Sequence, residues 1–256
     1  MTYQNKSYMG SGDLFMQAYD ASGVLTGSKV QVGNADSFAI NAPAIEKTER
    51  KGKMRTNWGE TIHSIVKSIE QELSFVLTDI DQHNLAIAMF GTDVTEDQTA
   101  GSDGTPVDVT ADLDGWADVG HMNLDPATPP VVQDETDTTT YVEGTDYEID
   151  YQGGLLMAIT GGAITDAETL HVTSTWLAYT GYKITGQTVT QKEYKLELLT
   201  ENKAGSEEGI LTVHKAQLEP SGDMAWLSEE YIDLEFTGKV ISVAAGSWDF
   251  KQYTSA

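Results

Sequence analysis

Residues 65–77 alternate between apolar and polar side chains. Ile65, Ile69, Leu73, Phe75 and Leu77 stand at odd positions, with Ser68, Glu70, Glu72 and Ser74 between them. Period two over this length is the signature of a strand that buries one face. Lys67 and Gln71 interrupt the apolar row, so the far end of the strand is expected to leave the core. Shorter stretches read the same way: 14–19, about 27–32, and 37–41 with Phe38 and Ile40 on one face. Asp20-Ala21-Ser22-Gly23 and Gly33-Asn34 supply the breaks between them. Later, 193–199 and 210–218 flank a polar tip at 200–209, which predicts a hairpin, and 230–237 with 239–244 predicts another pair. One helix is expected. Asp79 or Asp81 can cap it, Leu85, Ala86, Ala88, Met89 and Phe90 give it an apolar face, and Gly91 stops it after about three turns.

Composition shifts after Gly91. Residues 92–128 are rich in Asp, Gly and Thr, and Pro126, Pro129 and Pro130 cluster at their end. A compact β pattern then runs through 127–179, punctuated by Gly153-Gly154 and Gly161-Gly162. This predicts a mainly β chain with a core from 1–91 and 180–256. Residues 127–179 form a small β subdomain. The acidic stretch 92–126 is a linker left unassigned, which either joins that subdomain or is mobile.

The charges are as uneven as the hydropathy. The net charge is −25, yet five of the 15 basic residues fall at Lys47, Arg50, Lys51, Lys53 and Arg55. After Lys67, 115 residues pass without a Lys or Arg, and they hold 22 Asp or Glu. Such a balance argues against a free-standing nucleic-acid binder and against docking on an anionic membrane. A basic spike on an acidic chain marks either an interaction surface or merely solvated loops. Trp58 stands beside it, either as an exposed anchor for a protein partner or packed back on the sheet.

Chemistry leaves little trace. Without Cys there is no disulfide, thiolate nucleophile or cysteine zinc site. No P-loop, dinucleotide fingerprint, H-E-x-x-H or G-x-S-x-G occurs. His63, His83, His121, His171 and His214 are scattered. Asp112-Leu113-Asp114-Gly115 resembles the middle of a calcium loop, but Thr110 and His121 then fall at ligand positions that need carboxylates. Paired acids such as Glu70 with Glu72, or Glu207 with Glu208, arise by chance among 40 acids. The expectation is a protein without catalytic, cofactor or metal residues. No run approaches the roughly 20 apolar residues of a membrane span. Residues 1–12 are polar and lack a signal-peptide core, so a soluble protein not exported by the usual route is expected.

The order of elements carries a resemblance. A strand ending near Ala42 is followed by the charged excursion 46–60. The long strand then runs into Thr78-Asp79-Ile80-Asp81-Gln82-His83-Asn84-Leu85-Ala86-Ile87-Ala88-Met89-Phe90-Gly91. This resembles the tail tube (major tail) proteins of long-tailed bacteriophages, as do Tyr147-Glu148-Ile149-Asp150-Tyr151-Gln152-Gly153-Gly154 and Trp226-Leu227-Ser228-Glu229-Glu230-Tyr231-Ile232-Asp233-Leu234. The resemblance spans about 33–243, with 92–130 matching poorly. It implies a β-sandwich or barrel with one flanking helix, a long docking hairpin, and the small subdomain on the tube exterior. It also implies hexameric rings that stack into a tube around a tape-measure protein, meeting tail-end proteins, with DNA passing through unbound. The location would be the virion tail, assembled in the host cytoplasm. On this reading part of the negative charge lines the lumen and repels phosphate. Lys47, Arg50, Lys51, Lys53, Arg55 and Trp58 would sit on the loop that docks neighbouring subunits. The alternatives are a soluble carbohydrate- or protein-binding β module, an acidic hydrolase, and another β-rich virion protein.

Overall fold

A computed structural model of the chain describes residues 7–190 and 192–254, so residues 1–6 of the polar N-terminal stretch lie outside the described residues. The protein is mainly β and divides into two compact units, Met1–Asp93 with Ile184–Ala256, and Val94–Lys183. The first unit opens with β1 (Gly10–Ala18), β2 (Val30–Gln31), β3 (Ala35–Ile40), β4 (Ala44–Lys51), β5 (Thr61–Glu70) and β6 (Glu72–Leu77). Helix α1 (Gln82–Ala88), the single helix among the described residues, and strand β7 (Thr92–Thr95) follow. The second unit holds β8 (Gly101–Ser102), β9 (Val107–Thr110), β10 (Trp116–Asp118), β11 (Val131–Asp134), β12 (Tyr147–Asp150), β13 (Leu155–Ala158), β14 (Thr169–Thr173) and β15 (Thr175–Trp176). Strand β16 (Tyr182–Thr185) pairs with β7 as the chain returns. The first unit ends with β17 (Lys192–Asn202), β18 (Glu207–Pro220), β19 (Leu234–Val240) and β20 (Trp248–Thr254). No helix among the described residues is long and apolar enough to cross a membrane.

The main sheet runs β2-β1-β17-β18-β19-β6-β3, with β20 also paired to β18. Its first and last strands are joined by only Val32-Gly33-Asn34. Laid flat, six strand-to-strand steps would separate them by about 29 Å. The chain from Gln31 to Ala35 reaches about 14 Å at most. The sheet must therefore roll until its edges approach each other. The crossing is stapled on both sides of Gly33. Val32 N–H donates to Leu14 O at 3.1 Å, and Asn34 N–H donates to the Asp79 carboxylate at 2.8 Å. Buried Asn84 sends its Nδ2 to Val32 O at 2.9 Å and to Asp79 O at 3.0 Å. Gly33 has φ +78°, and a Cβ there would stand 2.3 Å from Asp79 Oδ2, so only glycine fits.

The rolled sheet encloses Leu14, Met16, Leu73, Phe75, Leu77, Leu196, Val213, Leu218, Leu234 and Phe236. Phe38, Phe75 and Phe236 stack across three neighbouring strands, with ring centroids 6.0 and 5.0 Å apart. The alternation that predicts a strand in 65–77 is buried only from Leu73 onward. Burial stops at Gln71, where the strand leaves the core as expected.

Helix α1 caps as the sequence suggests, since the Asp81 carboxylate accepts the Asn84 N–H at 2.7 Å. At seven residues it is two turns and not three. Phe90, at φ +48°, takes the left-handed position that ends it, and Gly91 N–H closes back on Ala86 O at 2.8 Å. The half-buried Lys192 completes the end, donating from Nζ to Ala86 O at 2.9 Å and Gly91 O at 2.8 Å. Burial pulls its ammonium below the ordinary lysine range.

One expectation fails here. The pair 230–237 and 239–244 is a single strand, β19, because Gly238 lies inside it and not at a turn. A Cβ on Gly238 would meet Leu218 Cδ2 at 2.8 Å, so the glycine serves close packing. Of the two readings left open for 92–126, the structure takes the one in which the stretch joins the subdomain: from Val94 on it supplies β8, β9 and β10 to the second unit, and Val109, Val119 and Leu124 to its core. That unit stacks two three-stranded antiparallel sheets, β10-β13-β12 and β11-β14-β9, around one core that includes Tyr147, Leu156, Leu170 and Val172. Its early strands are short and separated by Asp and Gly turns, which hides their alternation. On β14, His171 lies between Asp137 at 2.6 Å and Asp108 at 3.4 Å. The hydrogen bond to Asp137 holds its imidazole above the ordinary value of 6.5.

Two outcomes test these contacts. Lys192→Met removes two charge-assisted bonds and is expected to cost about 1–2 kcal/mol in chemical denaturation. A raised folded-state pKa makes the His171 contribution full below pH 6.5, and it is lost as pH climbs through the folded value. Thermal unfolding across that window should show stability falling upward in pH, and His171→Gln should flatten the fall.

Candidate functional site

Among the described residues, strands β4 and β5 pair only with each other. Every residue of β4 is exposed, as is nearly all of β5. The ribbon leaves the sheet at Gln71, which is fixed from two sides. Its Nε2 donates to Asn41 O at 3.0 Å, and its Oε1 accepts Trp248 Nε1–H at 3.0 Å. Beyond that pivot, Ile45 stands opposite Ile69, Lys47 opposite Val66, and Thr48 opposite Ile65. Two register irregularities, after Glu46 and after Arg50, twist the ribbon and spread its side chains.

All the residues expected to dock fall on this one hairpin. Lys47, Arg50 and Lys51 lie on β4, and Lys53, Arg55 and Trp58 lie in the tip, 52–60. Of the two readings of Trp58, the structure takes the projecting one, with 74% of the residue exposed. Met54 beside it is 66% exposed. The hairpin neutralises two of its own acids. Lys51 pairs with Glu49 at 2.9 Å and Lys67 pairs with Glu46 at 2.8 Å. The Lys51 hydrogen bond holds the Glu49 carboxyl below its ordinary range. Lys47, Arg50, Lys53 and Arg55 have no carboxylate within 4.0 Å among the described residues.

A ribbon of two strands with nothing behind it is marginal in water. This one also exposes Ile45, Ile62, Ile65, Val66 and Ile69, each by 48% or more. Contiguous exposed apolar surface of this kind is a common mark of an interaction site. The arrangement gathers apolar and cationic side chains on one exposed ribbon. The calcium-like segment is otherwise engaged, with the Asp114 carboxylate accepting Thr160 N–H at 3.3 Å and Thr160 Oγ1–H at 2.8 Å.

A second exposed apolar cluster was not apparent from the sequence. Residues 226–234 resemble a C-terminal strand, yet 228–233 lie outside every strand, and Leu227 and Tyr231 are each 99% exposed. The signal was the run Ser228-Glu229-Glu230, which breaks the alternation and makes a buried strand costly.

The family described as Protein of unknown function UCP028589 matches residues 7–249. The chain belongs to that family. The match runs through both units, so the family includes the second unit as well as the rolled sheet and its hairpin. No curated protein matches the chain.

Exposure and burial make opposite demands on two aromatic residues. Trp58→Ala should change unfolding free energy by no more than about 0.5 kcal/mol. Phe75→Ala, in the stacked triplet, should cost about 3–5 kcal/mol. Chemical denaturation of the two variants measures the contrast.

Proposed function

We propose that the protein is the subunit of a bacteriophage tail tube. Copies join into hexameric rings, and rings stack into a conduit for genome ejection. The observation that carries this reading is the β4–β5 hairpin, which leaves a rolled antiparallel sheet and exposes apolar side chains, unpaired cations and a projecting tryptophan. Such a ribbon gains its stability from another chain. The sheet's outermost strands, β2 and β3, each pair on one side only, and contacts between copies would cover edges that a monomer leaves open.

The charge distribution fits the same reading. A wall lined by part of the negative charge would repel phosphate and let DNA slide without gripping it. The hairpin bases supply the local opposite charge that like-charged copies need to touch. The tape-measure protein would fill the tube, tail-end proteins would meet its last rings, and the second unit would stand on the tube exterior.

Negative-stain microscopy of the concentrated protein tests the reading. Rings or tubes are the expected result, and a persistent monomer overturns it. Arg50→Glu/Lys53→Glu/Arg55→Glu should remove the tubes while the circular dichroism melt stays that of the wild type. Each exposed pair contributes only about 0–1 kcal/mol, but the contact repeats around every ring.

A further inference from the structure

The loop between β18 and β19, residues 221–233, has the complementary character to the hairpin. Trp226 is 61% exposed, and Leu227 and Tyr231 are 99% exposed. Between Lys215 and Lys239 the chain has six acids and no base. Glu229, Glu230 and Asp233 form no ion pair among the described residues. The loop borders an open recess of about 1320 Å³, whose walls include Ile80, Asp79 and Asp81 from the turn before α1. Small-ligand sites are usually about 300–1,000 Å³ and enclosed. This recess is of a size for a protein segment. Carboxylates beside exposed indole and phenol rings select a cation that arrives with its own apolar surface, since arginine both pairs with carboxylates and stacks on aromatic faces.

The chain itself carries such a segment. We propose that the recess and its loop receive the basic tip of the β4–β5 hairpin from a second copy. Lys53 and Arg55 in the tip, and Arg50 at the end of β4 next to it, make no salt bridge among the described residues, and Met54 and Trp58 supply the apolar part. Other acidic stretches occur in the chain, but this one joins its acids to an exposed Trp, Leu and Tyr at the mouth of a recess. The inference rests on the tail-tube reading for the fact of self-association and adds the surface that receives the hairpin. Because donor and acceptor are different surfaces, the contact is heterologous. Each copy can give one and accept one, so assembly runs head to tail and stops only where symmetry closes it.

The absence of cysteine makes the contact directly testable. Thr56 and Ser228 are exposed, one at the hairpin tip and one in the loop, and neither is a proposed contact group. Thr56→Cys and Ser228→Cys variants, mixed under mild oxidation at assembling concentration, should form a disulfide-linked dimer. Thr56→Cys mixed with Ser206→Cys, at the exposed tip between β17 and β18, gives the background. The expected yield is about ten-fold or more above that background. Adding Arg50→Glu/Lys53→Glu/Arg55→Glu to the Thr56→Cys chain should return it to background. A 56–228 yield no higher than the Ser206→Cys control, or one that survives the charge reversal, overturns the proposal. Microscopy of the same mixtures separates the two ideas. Rings without the 56–228 link reject this acceptor alone, and no rings at all reject the tail-tube reading with it.

Discussion

Three residues impose the shape of the first unit. Val32-Gly33-Asn34 must carry the chain from one edge of the main sheet to the other, and their length forbids a flat sheet. Everything nearby is organised around holding that crossing. Asp79 receives the Asn34 amide, Asn84 reaches Val32, and Asp81 starts the helix that brings Asn84 into place. Lys192, from the opposite side of the sequence, holds the other end of the same helix. The short helix is therefore a clamp on a rolled sheet, and its seven residues suffice because both ends are tied.

Much of this was legible in the sequence, and the reasons differ from place to place. Alternation identifies β6 because one face is truly buried. Gln71 marks the departure of the hairpin because a polar residue at an apolar position has to leave the core or find partners, and it does both. The helix start was legible through Asp81, since capping is local chemistry. Its end was not, because Gly91 was the obvious stop while Phe90 takes the strained conformation. Gly238 misled for a related reason. A glycine placed for close packing and one placed for a turn look the same in a sequence. The second unit's early strands, two to four residues each, are too short to display a period.

The residues proposed to dock divide in the same way. The basic spike could be read at once because charge needs no tertiary context, and the structure gathers all of it on one ribbon. The exposed loop after β18 could not be read so easily. Trp226, Leu227 and Tyr231 have the composition of a strand, and only the fold shows that nothing covers them. A chain with net charge −25 repels its own copies at long range. At contact distance the balance changes, because ionic screening leaves only neighbours within roughly 8–10 Å to interact. If the hairpin docks as proposed, repulsion over distance and attraction at one small patch would favour ordered growth over indiscriminate clumping.

The passage into and out of the second unit has a consequence of its own. Strands β7 and β16 leave and return side by side, paired with each other. To the rolled sheet, the whole of Val94–Lys183 therefore stands in the place of a hairpin turn. A turn can be long or short without disturbing the strands that hold it, provided its two ends stay adjacent. The scaffold thus offers a socket: a point where a lineage can exchange one module for another of equally close ends while the register beneath it stays fixed.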